Sequence, residues 1–482
     1  MFLLLSLLWQ APNLPLPPTR PLVLAQRQLV TQPQEVRPLP GGLDQVPVFN
    51  DNSPERIGTE GILLSTFPRR GKSEPSAHLD YAFNGRFDLF SHHVVQGQSP
   101  TDMRTMFQGI IVHNPSRQPV TLTLREAASY LSQDAPWQEL ASVESNLAST
   151  RFAGPGSRLM NDILRDRRQA SWPAQIEIPP GQNRLLMNVP IPLRRLSVAT
   201  DGTLPPGSPL LPTASKAASS EPRINGRSTL MRLSSNGPLY VASLAMYAPL
   251  GEDGEERVPT LQEWQTLLVR GGLAGPRDRA PTPPGSSADP FLYGRVAGVA
   301  QGSSWNATLT DPGDSRLTIP AVGDRLSYVL STLERNTFGT GQIQSAPMLA
   351  RYADTAYRAN GNYGIEYDLR LPLYNDSEQT QTVSLSVQTP LQNETLRGEL
   401  QFLESPESRV FFRGTVLFIY QDRDGRPRAS YTHLVQNRGQ QGEPLVQLEL
   451  EPGDRSLVQV QFLYPPDATP PQVLTIETLA ND

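Results

Sequence analysis

The sequence contains no cysteine. That excludes disulfide staples, thiolate nucleophiles, iron–sulfur clusters and cysteine-ligated zinc, though a domain of ordinary size needs no staples, so export remains compatible with it. Charge is also sparse: charged residues make up 18% and the net charge is −5, with acids and bases interspersed. No basic face of the kind nucleic acid requires can be read from that pattern, so no nucleic-acid partner is expected. Long apolar runs are missing. The longest candidate, Phe2–Trp9, falls far short of the roughly 20 residues that cross a bilayer, so no integral membrane span is expected. There is no P-loop and no Gly-x-Ser-x-Gly elbow, no catalytic residue stands out, and no cofactor is implied.

Proline, by contrast, is abundant at 48 residues, about twice ordinary usage. It removes a backbone donor and ends helices, which argues for short strands joined by proline-bearing turns. A length of 482 residues suggests two or three cores rather than one.

The apolar run Phe2–Trp9 has signal-peptide length, and Val23-Leu24-Ala25 before Gln26 has the residue types a signal peptidase reads. Cleavage after Ala25 is predicted, with residues 1–25 a signal peptide and the protein exported to periplasm, cell wall or extracellular space. No Lys or Arg precedes the run, and Pro12 to Pro21 is unusually long for a cleavage region. Without a Cys after the run no lipoprotein anchor is expected.

Beyond it the reading is mainly β: two tandem antiparallel β-sandwich-like domains with a few short helices. Residues 26–40 form an extended lead-in and 41–270 a first domain, within which the Ser-, Pro- and Gly-rich stretch 197–221 is a flexible insertion. Residues 271–290, with Pro276, Pro281, Pro283, Pro284 and Pro290, read as a linker to a second domain over 291–482. One helix is expected from the capping box Thr260-Leu261-Gln262-Glu263 to about Arg270, stopped by a left-handed Gly271. Another is expected from about Ser157 to Arg168, a narrow apolar stripe of Leu159, Met160, Ile163 and Leu164 on a polar surface, with Ser157 as its N-cap. Elsewhere period two dominates, as in Val120, Leu122, Leu124 and Val383, Leu385, Val387. Phe411–Tyr420 reads as a buried strand that Asp422-Arg423-Asp424-Gly425 turns back into Arg428–Val435.

The halves share a punctuation. His113-Asn114-Pro115-Ser116-Arg117-Gln118 precedes one strand and Tyr374-Asn375-Asp376-Ser377-Glu378-Gln379 another. Ile176-Glu177-Ile178-Pro179-Pro180-Gly181 is matched by Leu448-Glu449-Leu450-Glu451-Pro452-Gly453. This pattern fits either an internal repeat or the common corners of any sandwich.

Candidate chemistry is thin. His78, His92 and His113 could hold a divalent metal if the fold brought them together. His92 and His93 point to opposite faces of one strand. His92 shares a face with Arg86 and Asp88, while His93 reads as a core histidine with a hydrogen-bonded ring. Gly154-Pro155-Gly156-Ser157 could cradle an anion at a helix start, but an ordinary N-cap with Ser157 is the favoured reading. The polar, aromatic stretch Tyr352–Gly364 reads as an irregular loop, and Tyr352, Asp354, Tyr357, Asn360 and Tyr363 are its candidate binding residues.

The strings Gln32–Gly41, Val46-Pro47-Val48-Phe49-Asn50, Tyr293–Gly302 and Gly361-Asn362-Tyr363-Gly364-Ile365 resemble a family of cyanobacterial exported proteins known only as a domain of unknown function. The resemblance runs from about Gln32 to the C-terminus. It implies a cyanobacterial source and an envelope or extracellular address, and it carries no catalytic or binding residues. Three functional readings follow. The leading one is a non-catalytic envelope or secreted protein, not an enzyme, whose partner is an envelope polysaccharide or envelope protein. The others are a carbohydrate-active enzyme on a β scaffold and a periplasmic metal-binding protein.

Overall fold

The computed structural model describes residues 28–213 and 223–480. The signal peptide expected over 1–25, and the part of the 197–221 stretch beyond residue 213, lie outside the described residues.

The fold is mainly β, with two α-helices among the described residues, Gly154–Ile163 and Leu261–Arg270. In the first half, one sheet runs in the order Gln175–Ile178, Val120–Leu131, Ile224–Tyr247, Phe83–Gln96 and Pro47–Asp51. A second is built from Asn183–Pro192, Thr105–His113, the C-terminal part of Ile224–Tyr247, and Gly61–Ser65. The 24-residue strand Ile224–Tyr247 thus serves both sheets, and its register breaks between Ser235 and Leu239, at Asn236-Gly237-Pro238, where proline cannot donate to a ladder. Phe87, Leu89, Leu124 and Met231 from one sheet meet Ile110, Val112, Met187 and Val241 from the other. This is the sandwich that the period-two pattern predicts.

The second half repeats the order. Val446–Leu450, Gln381–Gln388, Gln472–Thr478, Arg325–Leu330 and Glu35–Arg37 form one sheet. It faces Ser304–Thr308, Glu366–Tyr374, Arg455–Leu463, Val410–Gln421 and Pro427–Asn437. In both halves the last strand of the five-strand sheet is an N-terminal segment paired in parallel, Pro47–Asp51 on Phe83–Gln96 and Glu35–Arg37 on Arg325–Leu330. The sheets are therefore mixed, where the sequence pattern alone suggested antiparallel ones.

The correspondence extends to single hydrogen bonds. Asn114 and Asn375 are both fully buried. The Asn114 side-chain amide donates to the carbonyls of Gln118 (2.7 Å) and Ile178 (2.9 Å), and its Oδ1 accepts from the Ser116 amide at 2.9 Å. Asn375 donates to Gln379 (2.8 Å) and Leu450 (2.9 Å) and accepts from Ser377 at 3.0 Å. The Pro-Gly corners dock on the same residues, with Gly181 donating to the Asn114 carbonyl and Gly453 to that of Asn375, both at 2.9 Å. Registers agree as well: Ile178 opposes Val120, and Leu450 opposes Gln381, each six residues past its asparagine. The two halves are repeats of one arrangement.

Hydrogen bonding also crosses between the halves. Ala297–Gln301 pairs with Pro47–Asp51 and with Ala346–Arg351, so the first-half sheet continues into strands that follow residues 271–290. Val143–Ser145 pairs in return with Pro427–Asn437. Residues 271–290 are tied down by backbone bonds from Gly58 and Thr59 to Gly275 and from Ile62 to Gly272. Residues 197–213 form no regular strand, yet they bury Leu204 and Leu210 and bond through Ser197 to Leu211 and Leu204 to Asn188.

The helix Leu261–Arg270 begins with the expected capping box, the Thr260 hydroxyl accepting from the Glu263 amide and the Glu263 carboxylate accepting from that of Thr260. Gly271 ends it in an extended conformation (φ −79°, ψ 157°), not the left-handed one, because the chain leaves the helix straight for the bridge between Leu273 and Ile62. The other helix departs further from expectation. It spans Gly154–Ile163 with Ala153, not Ser157, as N-cap, and it is buried on nearly all sides between the two halves. Its polar residues are matched inside the protein: Ser157 meets His433 Nε2 at 2.8 Å, Asn161 donates to Ser149 Oγ at 2.7 Å, and Asp162 accepts from the Tyr130 hydroxyl. Internal partners allow a helix with a polar face to be a core helix.

Against the first turn of this helix sits Asp467, with a buried Oδ2 that has no hydrogen-bond partner. Burial pushes its carboxyl up to about 7, against the pull of Arg413. A raised acid contributes stability that is present below its unfolded value and lost as pH rises through the folded one. Asp467→Asn is therefore expected to leave stability unchanged near about pH 3 and raise it by about 2–4 kcal/mol near about pH 9. Urea unfolding at both pH values checks this, and equal shifts at the two would contradict it.

Among the described residues no helix is long and apolar enough to cross a membrane.

Candidate functional site

Three segments distant in sequence meet where the halves join. The end of strand Pro47–Asp51 and the turn after it supply Asn50, Asn52 and Glu55. The approach to strand Ala297–Gln301 supplies Phe291, Tyr293 and Arg295, and the turn after Arg358–Ala359 supplies Gly361, Asn362 and Tyr363. With Asp278 and Arg279 they line an open cleft of about 590 Å³, within the size range of small-ligand sites.

Charge in the cleft is organised around Arg295, which bonds the Glu55 carboxylate and, at 2.8 Å, that of Asp278. Asp278 also accepts from the Ser53 hydroxyl at 2.6 Å. Two carboxylates and two guanidiniums line the cleft, so its formal charge balances. The aromatic wall is fixed. The Tyr293 hydroxyl donates to the Arg335 carbonyl at 2.8 Å, and its ring meets Phe291 edge-on at 5.0 Å between centroids. The Tyr363 ring lies against Phe90 at 6.0 Å and folds over Gly361, where an added Cβ would come within 2.6 Å of it. In the floor, Asn362 donates to Ser331 Oγ at 2.7 Å while its Oδ1 is buried without a partner, as is Oδ1 of Asn52.

The segment carrying Asn50 and Asn52 is anchored from behind. Asp51 and His93 are both fully buried, with Oδ2 and Nε2 3.0 Å apart but off the line of the ring N–H, so the contact is an ion pair more than an aligned hydrogen bond. His93 Nδ1 lies 2.8 Å from the Pro54 carbonyl. The expected core histidine is there, with a carboxylate partner that the strand pattern does not reveal. The opposite face of that strand is buried as well, against the second half. Burial pushes Asp88 up to about 6, against Arg232 and Arg86, and Arg232 pairs with Glu366 across the junction at 2.7 Å.

Of the five loop candidates, Tyr363 lines the cleft and the other four do not. Tyr352 is a core residue whose hydroxyl accepts from the Ser65 amide and donates to the Ala77 carbonyl. Asp354 is held by Arg277 through two bonds of 2.8 and 2.9 Å. Tyr357 carries the Arg351 guanidinium over its ring at 3.8 Å, and the Asn360 amide bonds the Arg358 carbonyl.

The three histidines do not form a cluster. His78 Nδ1 bonds Ser65, His92 Nδ1 bonds Ser228 and His113 Nδ1 bonds Asn183, each at 2.8 Å. Burial pulls His78 and His92 down to about 4. Among the described residues, no group of three or more His, Asp or Glu is placed to hold a metal. Each ring serves instead as a hydrogen-bonding group in separate surroundings, buried for His78 and His92 and half-buried for His113.

Sequence reading missed Asn50, Asn52, Glu55, Tyr293, Arg295 and Asn362. The one available signal was that Val46–Asn50, Tyr293–Gly302 and Gly361–Ile365 are strings of the family resemblance, and all three border this cleft. A family model described as "Protein of unknown function (DUF3370)" matches residues 34–478. The chain belongs to that family. The match takes in both repeats and every residue of the cleft. No curated protein matches the chain. Among solved structures, Lac15 from a marine microbial metagenome aligns at 10% identity over 83% of this chain and 87% of that chain, with a TM-score of 0.10. That score carries no argument about fold or activity.

Proposed function

We propose that the protein is exported, matures at Gln26, and acts as a non-catalytic binding protein of the cell envelope or extracellular space. Its ligand lodges in the cleft between the two repeats. The observation that carries this reading is the cleft itself, a polar, aromatic-walled opening built from strand ends and the turns beside them at the junction of the halves. Binding is favoured over hydrolysis because Glu55 and Asp278 are both held by Arg295. That arrangement neutralises and orients two carboxylates, whereas a glycosidase needs one carboxyl free to give a proton. The apolar run Phe2–Trp9 and the Val23-Leu24-Ala25 site support export. The family resemblance supports a cyanobacterial source and an envelope address.

The full chain, expressed with its native N-terminus, is expected outside the cytosol, beginning at Gln26 by N-terminal sequencing. The purified mature protein is expected to be retained on isolated envelope material. Recovery from the cytosol with the first 25 residues intact, or no retention on any envelope fraction, would overturn the proposal.

A further inference from the structure

The cleft's composition restricts what it can hold. Asn52 and Asn362 are 7% and 1% exposed, and each has a side-chain oxygen with no donor. Buried acceptors of this kind are stable only when a donor meets them, and nothing within the chain does. The Asn362 nitrogen meets Ser331 Oγ at 2.7 Å, which leaves its oxygen as the group without a partner. Both oxygens lie just below the accessible surface of the cleft, so a ligand bringing hydroxyl or amine hydrogens would complete the floor once the two side chains turn toward it.

Charge then narrows the choice. Glu55 and Asp278 are balanced by Arg279 and Arg295. A phosphate or other anion would meet two carboxylates, and a polyamine would meet two guanidiniums, so neither finds a complementary field. The walls supply the remaining requirement. The half-buried rings of Tyr293 and Tyr363 offer apolar faces beside polar groups, which suits a ligand with both a C–H face and hydroxyl edges. A lipid tail would leave the floor unsatisfied.

We propose that the cleft binds a neutral saccharide unit, with hydroxyls donating to Asn52 and Asn362 and a ring face against Tyr293 or Tyr363. This inference rests on the binding reading given above and adds the chemical class of the ligand.

The test uses the mature full chain and three neutral trisaccharides, maltotriose, cellotriose and chitotriose, titrated by calorimetry, with spermidine and pyrophosphate as charged comparators. At least one trisaccharide is expected to bind, and neither comparator. Asn52→Leu removes the acceptor at similar size and is expected to weaken binding at least about tenfold. Tyr293→Ala is expected to do the same, and Tyr293→Phe, which keeps the ring, to retain affinity. Gly361→Ala, which displaces the Tyr363 ring, provides an independent perturbation in which weakened binding is expected. Thermal melts establish that each variant is folded. Absence of binding by all three trisaccharides overturns the inference, as does tighter binding of a comparator, or trisaccharide binding that the folded Asn52→Leu and Tyr293→Ala proteins retain in full. Retention on envelope material without trisaccharide binding overturns the saccharide class alone, whereas loss of both overturns the envelope reading as well.

Discussion

Asn114→Ala is expected to destabilise the protein by about 3 kcal/mol, and Asn375→Ala by a similar amount. Each asparagine joins three backbone groups that have no other use for one another. The side chain of Asn114 satisfies the carbonyls of Gln118 and Ile178 and the amide of Ser116. That of Asn375 satisfies Gln379, Leu450 and Ser377. Both asparagines and the Ile178 and Leu450 residues they bind are buried, so truncation leaves those carbonyls without a donor at a cost of roughly 1–3 kcal/mol each, while the exposed Gln118 and Gln379 carbonyls keep the Ser116 and Ser377 hydroxyls. Aspartate is no substitute, since it keeps the acceptor but puts an ionised oxygen where two carbonyls need a donor. Because the corners are equivalent bond for bond, the two alanine variants should lower the urea midpoint alike, and Asn114→Asp and Asn375→Asp should be at least as damaging. A wild-type midpoint in either alanine variant would show that the repeated corner is a shape without energetic weight.

These corners were legible in the sequence because a buried asparagine that caps its own turn fixes its partners at short offsets. The hairpin of Val410–Gln421 and Pro427–Asn437 was legible for the same reason: Asp422 and Gly425 close it locally, through a Gly425-to-Asp422 bond at 2.8 Å. What failed was everything set by distant partners. Helix Gly154–Ile163 reads as a surface helix because Ser157, Asn161 and Asp162 are polar, and only His433, Ser149 and Tyr130 make it a buried one. The first dozen residues of strand Ile224–Tyr247 carry Asn225, Arg227, Ser228 and Thr229, which break any alternation. Arg227 is 1% exposed because carbonyls of Pro190 and Thr200 and the Ser129 hydroxyl surround its guanidinium. The cleft was illegible for a related reason. It is assembled from turns and strand ends brought together by long-range pairing of Pro47–Asp51 with Ala297–Gln301, of that strand with Ala346–Arg351, and of Ala346–Arg351 with Arg358–Ala359, and pairing between segments so distant leaves no local trace.

Breaking the Asp51–His93 pair is expected to have the largest effect of any single change, about 3–5 kcal/mol at neutral pH for Asp51→Ala. The ring's protonation state follows from its neighbours. Nδ1 faces the Pro54 carbonyl and Nε2 faces the Asp51 carboxylate. Neither oxygen carries a proton of its own when Asp51 is ionised, so both ring nitrogens must carry one. Burial pulls the His93 pKa down, but the Asp51 charge and the Pro54 carbonyl outweigh it and leave it raised. The sign of the pH dependence follows. The stability this pair contributes is complete below the ordinary histidine value and is lost as pH rises through the higher folded one. Asp51→Ala leaves a buried imidazolium with no counter-charge, which must lose its proton or open the site to water. Asp51→Asn should cost less, because an amide can donate to a neutral ring in the same position, and the alkaline loss of stability from this pair should vanish with it. Unfolding of wild type and Asp51→Asn across neutral to alkaline pH separates the cases, and an identical slope in both would refute the charged-pair assignment. Since the pair lies directly behind Asn50 and Asn52, its loss should also slacken one wall of the cleft. Asp51→Ala, where it remains folded, should bind ligand more weakly than Asp51→Asn.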